Sequence, residues 1–528
     1  MASQHRAWQW AVAIGALVAL AHVVLRITEL FPIGAFADDG IYVALGKALA
    51  SGEGYRSAYA VGSPPHLKYP PGLPALFAAI WSFAPDVEGF RQVWAIVTPL
   101  VTGTTAGLIV WIGHKVLELP VWLAACLGVG PLLTDPALHY LNLPLSEGLY
   151  LLLTSGLILA LASSRGGRLT LAAAIVLAAA APFLRAQGIV LIATLGIVTL
   201  ARRSLGAAVV ATVAATAPYA AWTLLRPIAA EAITQPDELP YTAWVGSGGA
   251  GEAIGLLGAG ILTNARAYFW ILAEHSAPLA AMGILIASAL VALAVVGFVA
   301  NLKERPEVSV PVGLTTLLIL VWPWPQDRFL LPILPFAGLL IATVVSRWRP
   351  RPTALAMCLL VGLVGVRQWE VRQFAYVDYD PAAHQRVAYP SLFLMTNSRF
   401  LISTSRWLNH NASPLDRVVT PLHGGVYLYT GLRTTPASPA QPSVGTSVFD
   451  EPGAYLASRV LAEGTTLVAL GDARSPMAHD VKALQDQCPG TVSTVGTMQD
   501  PSAVVFYGLE AEGSCVEGLA ARLDGVWR

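Results

Sequence analysis

Charged residues make up only 12% of this 528-residue chain. The segment that gathers Asp38, Asp39, Lys47, Glu53, Arg56, His66 and Lys68 is therefore where chemistry can be built. Two adjacent carboxylates, Asp38 and Asp39, stand ahead of a rigid Lys68-Tyr69-Pro70-Pro71-Gly72 run. A carboxylate can take a proton from a hydroxyl nucleophile, and a lysine or arginine can stabilise charge on a departing phosphate. The plain alternative is structural. Asp39 would cap the helix that follows, with Asp38 a solvated neighbour favoured by the helix dipole.

The elements that must position these groups are apolar. Hydrophobic residues make up 55% of the chain, more than a soluble globular surface tolerates. The composition predicts an α-helical polytopic membrane protein. Net charge is zero, so no basic balance points to nucleic acid. A span needs roughly 20 residues at about 1.5 Å each. About eleven runs meet or approach this: 8–30, 92–113, 120–139, 145–162, 169–184, 188–201, 205–225, 277–300, 308–324, 329–346 and 353–366. The first run follows Arg6 and ends near an Ala19-Leu20-Ala21 triplet, but its length predicts an uncleaved helix rather than a signal peptide.

With the N-terminus in the cytoplasm, alternate loops carry Lys115, Arg165 with Arg168, Arg202 with Arg203, Lys303 with Arg305, and Arg347 with Arg349 and Arg351. That is the positive-inside pattern. It places the acidic loop, residues 31–91, and a long loop over 227–275 on the external side. Counting Pro74–Phe83 as a span would invert every later loop, so this short run is expected to lie on or dip into the membrane. Gly40–Ser51 reads as an amphipathic surface helix.

After residue 368 the composition shifts. Residues 369–528 alternate polar helices with β-type runs at 417–420, 466–470 and 503–507, which predicts a soluble extracytoplasmic α/β domain with its own core. It carries Cys488 and Cys515, which an oxidising compartment would allow to bridge. Its aromatics Tyr427 and Tyr429 read as core more readily than as sugar platforms. No CxxC or HxxxH spacing points to a structural zinc site.

The run Ala37-Asp38-Asp39-Gly40-Ile41-Tyr42, the helix ending at Ser51-Gly52, and then Lys68-Tyr69-Pro70-Pro71 resemble the first external loop of GT-C glycosyltransferases. The group most resembled is that of the protein O-mannosyltransferases and the lipid A aminoarabinose transferase. Weaker signals follow in matching order: Leu145-Ser146-Glu147-Gly148, Phe183-Leu184-Arg185-Ala186-Gln187-Gly188 and Asp327-Arg328-Phe329-Leu330-Leu331-Pro332. The likeness covers residues 8–368.

The resemblance implies inverting transfer of a sugar from a polyprenyl-phosphate donor to a lipid, glycan or protein acceptor on the outer face of the bacterial inner membrane. On it, Asp38 is the expected base and Asp39 a second acceptor-binding or metal-binding carboxylate. The family's usual pair is Asp-Glu, so this chain departs at Asp39. Lys68, Arg185, Arg328 and His66 are expected to bind the donor phosphate. Tyr42, Glu147 and Tyr69 are secondary, acceptor-side candidates. A divalent metal, magnesium or manganese, could sit on Asp38 and Asp39; no other cofactor is expected. Three other readings compete: a transporter or flippase of lipid-linked sugar, a non-catalytic envelope protein that binds glycan, and a polymerase or ligase of lipid-linked glycans, against which the long acidic first loop counts. Charges clustered at one edge without repeated halves count against the transporter.

Overall fold

The computed structural model describes residues 2–28, 32–163, 167–225, 250–276, 280–322, 326–347, 378–380, 385–387, 392–436, 454–470, 476–498, 504–509 and 514–527. The expected span at 353–366 and the boundary at 368 lie outside them.

Fourteen helices make up the first part: α1 (Ala2–Thr28), α2 (Asp38–Ala50), α3 (Gly72–Phe83), α4 (Val87–Lys115), α5 (Val121–Ala124), α6 (Asp135–Asn142), α7 (Glu147–Ser163), α8 (Arg168–Leu184), α9 (Ile189–Arg202), α10 (Leu205–Leu225), α11 (Ala250–Ser276), α12 (Ala280–Leu302), α13 (Pro306–Val321) and α14 (Leu334–Arg347). Among the described residues four helices are long and apolar enough to cross a membrane: His5–Val24, Val87–Lys115, Leu205–Leu224 and Ala281–Leu302. Shorter apolar helices pack among them. Leu17, Ile96, Val210 and Leu285 stand exposed on the bundle's outer faces, an apolar surface suited to lipid rather than water. Inside, Gly103 of α4 abuts Gly15 of α1 so closely that a Cβ on Gly103 would lie 2.6 Å from the Gly15 carbonyl oxygen. Small residues let membrane helices approach in this way.

Two sequence expectations change. The span expected over 120–139 is broken: α5 passes into a π turn at Ala125–Val129, a 3-10 turn at Gly130–Leu133 and then α6. Pro131 and Pro136 lack the amide protons a continuous helix needs. The long loop expected over 227–275 contains α11, whose Asn264 amide donates to the Leu320 and Trp322 carbonyls at 3.0 and 2.6 Å, capping the end of α13. Gly251, Gly255, Gly258 and Gly260, together with Glu252 and Arg266, interrupt the apolar run that would have marked it.

The two ends of the bundle differ. At one end Arg202 pairs with Glu307 at 3.0 Å, Arg305 with Glu118 at 2.5 Å, and Arg203 donates to the Gly167 carbonyl. The loops that carry Arg202, Arg203 and Arg305 are thus gathered on one side. The opposite end carries α2, α3 and the starts or ends of α7, α8 and α13.

The last part is an α/β unit. A small antiparallel pair, β1 (Asp378–Asp380) and β2 (Gln385–Val387), precedes it. Its five-stranded sheet has the order β4-β3-β5-β7-β6, with β3 (Arg417–Thr420), β4 (Arg433–Pro436), β5 (Leu467–Leu470), β6 (Val492–Met498) and β7 (Val504–Leu509). β3 pairs in parallel with β4 and β5, while β7 runs antiparallel to β5 and β6. Helices α15 (Leu392–Asn411), α16 (His423–Thr430), α17 (Ala454–Glu463), α18 (Pro476–Gln487) and α19 (Ser514–Trp527) flank it. Cys488 and Cys515 are disulfide-bonded, with Cα atoms 5.8 Å apart.

Candidate active site

The acidic pair opens α2, and the two carboxylates turn in opposite directions. Ala37 sits at φ 68°, a left-handed conformation rare for a residue with a Cβ, and this kink precedes the helix. Asp39 folds back on the kink. Its Oδ2 accepts from the Gly34 amide at 2.7 Å and its Oδ1 from the Phe36 amide at 3.1 Å. The side chain is fully buried. Burial pushes its carboxyl up to about 7, against the amides of Gly34, Gly40 and Phe36 that favour the anion.

Asp38 faces a cavity. Tyr69 Oη donates to its Oδ1 at 2.6 Å, and Arg328 Nη2 reaches its Oδ2 at 2.6 Å. Burial alone would raise the Asp38 carboxyl, but Arg328, then Lys68 and the Tyr69 hydroxyl, hold it below the usual carboxylate value. Arg328 lies between two acids: its Nε is 3.8 Å from Glu147 Oε1. Arg185 Nη1 meets the same Glu147 oxygen at 2.5 Å and stands near Ser146 Oγ. The result is an alternating chain, Asp38–Arg328–Glu147–Arg185, assembled from α2, the turn after α13, the start of α7 and the end of α8. The Phe36 and Phe329 rings cover the Arg328 guanidinium, with centroids 4.9 and 5.4 Å away. The cavity encloses about 40 Å³ and is lined by Asp38, Tyr42, Tyr69, Pro70, Ser146, Glu147, Arg185, Ala186, Gln187, Trp322, Arg328 and Phe329.

Most of the residues singled out in the sequence converge here. Asp38, Tyr42, Tyr69, Glu147, Arg185 and Arg328 line the cavity. Lys68 stands at its edge, its Nζ 5.2 Å from the centre of the Tyr69 ring, close enough to act on Asp38 through charge. Two do not face it. His66 is buried with both ring nitrogens engaged, Nδ1 with Ser57 Oγ at 2.9 Å and Nε2 accepting from the Tyr69 amide at 3.0 Å. It stacks on the Tyr69 ring, and its ring nitrogens are engaged within the loop instead of in the cavity lining. Asp39 likewise shapes the loop. Both its oxygens already accept backbone protons, and the described residues contain no group of three or more His, Cys, Asp or Glu suited to a metal ion. The donor set does not fit a divalent ion shared by Asp38 and Asp39.

Three features have no role assigned to them from the sequence. Gln187 follows Arg185 in the 3-10 turn Ala186–Gly188 and enters the cavity wall. Trp322 and Phe329 close the far side and form an edge-on pair with ring centres 6.2 Å apart. The third is the way the α/β unit clasps the loop. A Cβ on Gly40 would lie 2.7 Å from the Gly425 amide nitrogen, so α2 and α16 touch backbone to backbone. Tyr429 Oη accepts from the Ile33 amide, Asn397 donates to the Ala35 carbonyl, and the Thr434 amide donates to the Tyr59 carbonyl.

No family model matches the sequence, and no curated protein matches it either. Solved structures do match in shape. ArnT from Cupriavidus metallidurans in the apo state superposes with a TM-score of 0.54 at 12% identity, covering 95% of this chain and 98% of that one. The same protein bound to undecaprenyl phosphate gives 0.54 and 12%, over 96% and 98%. The archaeal oligosaccharyltransferase AglB from Archaeoglobus fulgidus, in complex with an inhibitory peptide and a dolichol-phosphate, gives 0.50 and 11%, over 98% and 78%. The chain thus shares its overall fold with these ArnT and AglB structures. Within this shared frame the alternating charges sit at one end of the helix bundle, under the loop that the α/β unit holds.

Proposed function

We propose that the chain is a membrane glycosyltransferase that moves a sugar from a polyprenyl-phosphate donor to a hydroxyl of a lipid, glycan or protein acceptor. The observation that carries this reading is Asp38, a half-buried carboxylate kept ionised by Arg328 and Lys68 beside a second arginine, in a fold shared with ArnT. A base must be deprotonated before it can accept a proton, and the lowered carboxyl meets that condition at neutral pH.

In the proposed step the acceptor oxygen attacks the anomeric carbon while the bond from that carbon to the phosphate oxygen breaks, inverting the centre. The acceptor proton goes to Asp38, and the electron pair leaves with the polyprenyl phosphate. Arg185, Arg328 and Lys68 neutralise the charge that grows on the phosphate. A cavity of about 40 Å³ holds water but not a sugar, since ligand sites run to about 300 Å³ or more. In the proposed step substrate parts the Asp38–Arg328–Glu147 links. A phosphate that takes over Arg328 releases Asp38 to act.

The same reading places the protein in a bacterial inner membrane with about eleven crossings, the N-terminus cytoplasmic and the α/β unit outside. The test is transfer of labelled sugar from a panel of polyprenyl-phosphate donors by purified protein in lipid, comparing wild type with Asp38→Asn. Release of polyprenyl phosphate by wild type, lost in the variant, is the expected result. A folded wild-type protein that binds donor and transfers nothing would instead favour a carrier of lipid-linked sugar.

A further inference from the structure

Gln187 lines the cavity, and the charge network does not use its polar atoms. It is buried, and among the described residues neither Oε1 nor Nε2 has a hydrogen-bonding partner. Its backbone is fixed: the Tyr150 hydroxyl donates to its carbonyl at 3.2 Å, and the Gly188 amide closes the turn onto the Arg185 carbonyl at 2.7 Å. Gly188 permits that turn, since a Cβ there would lie 2.2 Å from the Ala181 carbonyl carbon. The turn thus holds Gln187 in the wall of the cavity that Arg185 also lines, and its amide is at an energetic disadvantage while it stays unpaired.

We propose that the Gln187 amide recognises a hydroxyl of the bound carbohydrate, so that it reads the sugar while the arginines hold the phosphate. This rests on the glycosyltransferase reading above. The chemistry of the amide separates the two ligands. A primary amide offers two donors and one acceptor oxygen, and it is fully paired only by a group that both donates and accepts. A hydroxyl does both. A phosphate offers only acceptors, which would leave Oε1 facing anionic oxygens, and Arg185, Arg328 and Lys68 already match the phosphate charge. A site that hydrogen-bonds a hydroxyl strongly disfavours an analogue without it, because the buried amide is then left unpaired.

The experiment compares wild type with Gln187→Met, close in shape but unable to form these bonds, and with Gln187→Asn, which keeps the amide one methylene short. For each protein in lipid it measures the affinity for polyprenyl-phosphate-sugar, the affinity for unglycosylated polyprenyl phosphate, and the KM of donor and acceptor. In Gln187→Met the ratio of the two affinities should fall about 10- to 100-fold, with polyprenyl phosphate itself bound within about twofold of wild type. Deoxy-sugar donors lacking the recognised hydroxyl should bind wild type and variant alike. A change confined to the acceptor KM assigns the same amide to an acceptor sugar. Equal loss of both lipids in the variants that remain folded, or no change in the affinity ratio and in either KM, overturns the inference. The affinity ratio can move without turnover, so failure of the transfer reaction counts against the proposed function and leaves this inference separately decided.

Discussion

At the scale of single residues, two neighbours of the same type have opposite duties, and the geometry predicts that they fail differently. On the proposed mechanism Asp38→Asn removes the proton acceptor, so transfer should drop about 10²- to 10⁴-fold while the melting temperature in detergent stays near wild type. Asp39→Asn sets an NH₂ group against a backbone N–H of Gly34 or Phe36, so it should destabilise by about 1–3 kcal/mol, seen as a lower melting temperature. Equal turnover loss and equal melting in both variants would contradict this division. The pH profile gives a second check. The folded-state carboxyl of Asp38 is lowered, so its ionised form persists as pH falls through the ordinary Asp value of about 3.9 and is lost only below it. Residual transfer by Arg328→Gln should show an acid limb displaced upward relative to wild type; an unmoved limb would exclude Arg328 as the group that holds Asp38 ionised. Asp38, Arg185 and Arg328 could be found in the sequence because charge is scarce in an apolar chain. The roles of Asp39 and His66 could not, since they depend on where the amides of Gly34, Phe36 and Tyr69 point, and backbone direction leaves no mark in residue type.

At the scale of elements, the loop is held from outside by α16, and glycine is what allows the contact. Replacing Gly425 by Ala puts a Cβ 3.0 Å from the Gly34 Cα, so the backbones must separate or shift. Overpacking of this kind typically destabilises by about 1–3 kcal/mol. Because α2 carries Asp38, the expected result is reduced transfer together with faster proteolysis of the α/β unit, and an active variant with unchanged proteolysis would rule out a positioning role for the clasp. The Cys488–Cys515 bridge acts within that unit. Closing a loop of 27 residues should stabilise by roughly 3.5 kcal/mol, so Cys488→Ser with Cys515→Ser should lower its melting temperature while the bundle's own transition holds. Long uniform helices such as α4, α10 and α12 were readable from apolar run length, and strands β3, β5 and β7 from β-branched runs between turns. The break over 121–142 and the helix α11 were not. A π turn is a slip in hydrogen-bond register that composition does not record, and a helix laced with glycine and charge does not look like a span.

At the scale of the whole molecule, the charges sort by end, and the sorting predicts the protein's orientation. Arg202, Arg203 and Arg305 are drawn together at one end through Glu307, Glu118 and the Gly167 carbonyl. Arg185 and Arg328 stand at the other, inside the cavity and paired with carboxylates. The positive-inside rule counts arginines in short loops near span ends, and the first set meets that description. The second set is paired with Asp38 and Glu147, where it compensates those carboxylates instead of marking a cytoplasmic loop. On a background lacking Cys126 and Cys358, a cysteine at Glu53 should react with a membrane-impermeant maleimide in intact cells. A cysteine at Ser204, beside Arg203, should react only after permeabilisation. Both positions are exposed, so access and not burial decides the outcome. The reverse labelling would place the cavity in the cytoplasm, where nucleotide sugars are made, and would count against a polyprenyl-phosphate donor, because a lipid carrier is needed only where soluble activated sugars are absent. The orientation of the helix bundle is thus tied to the identity of the substrate.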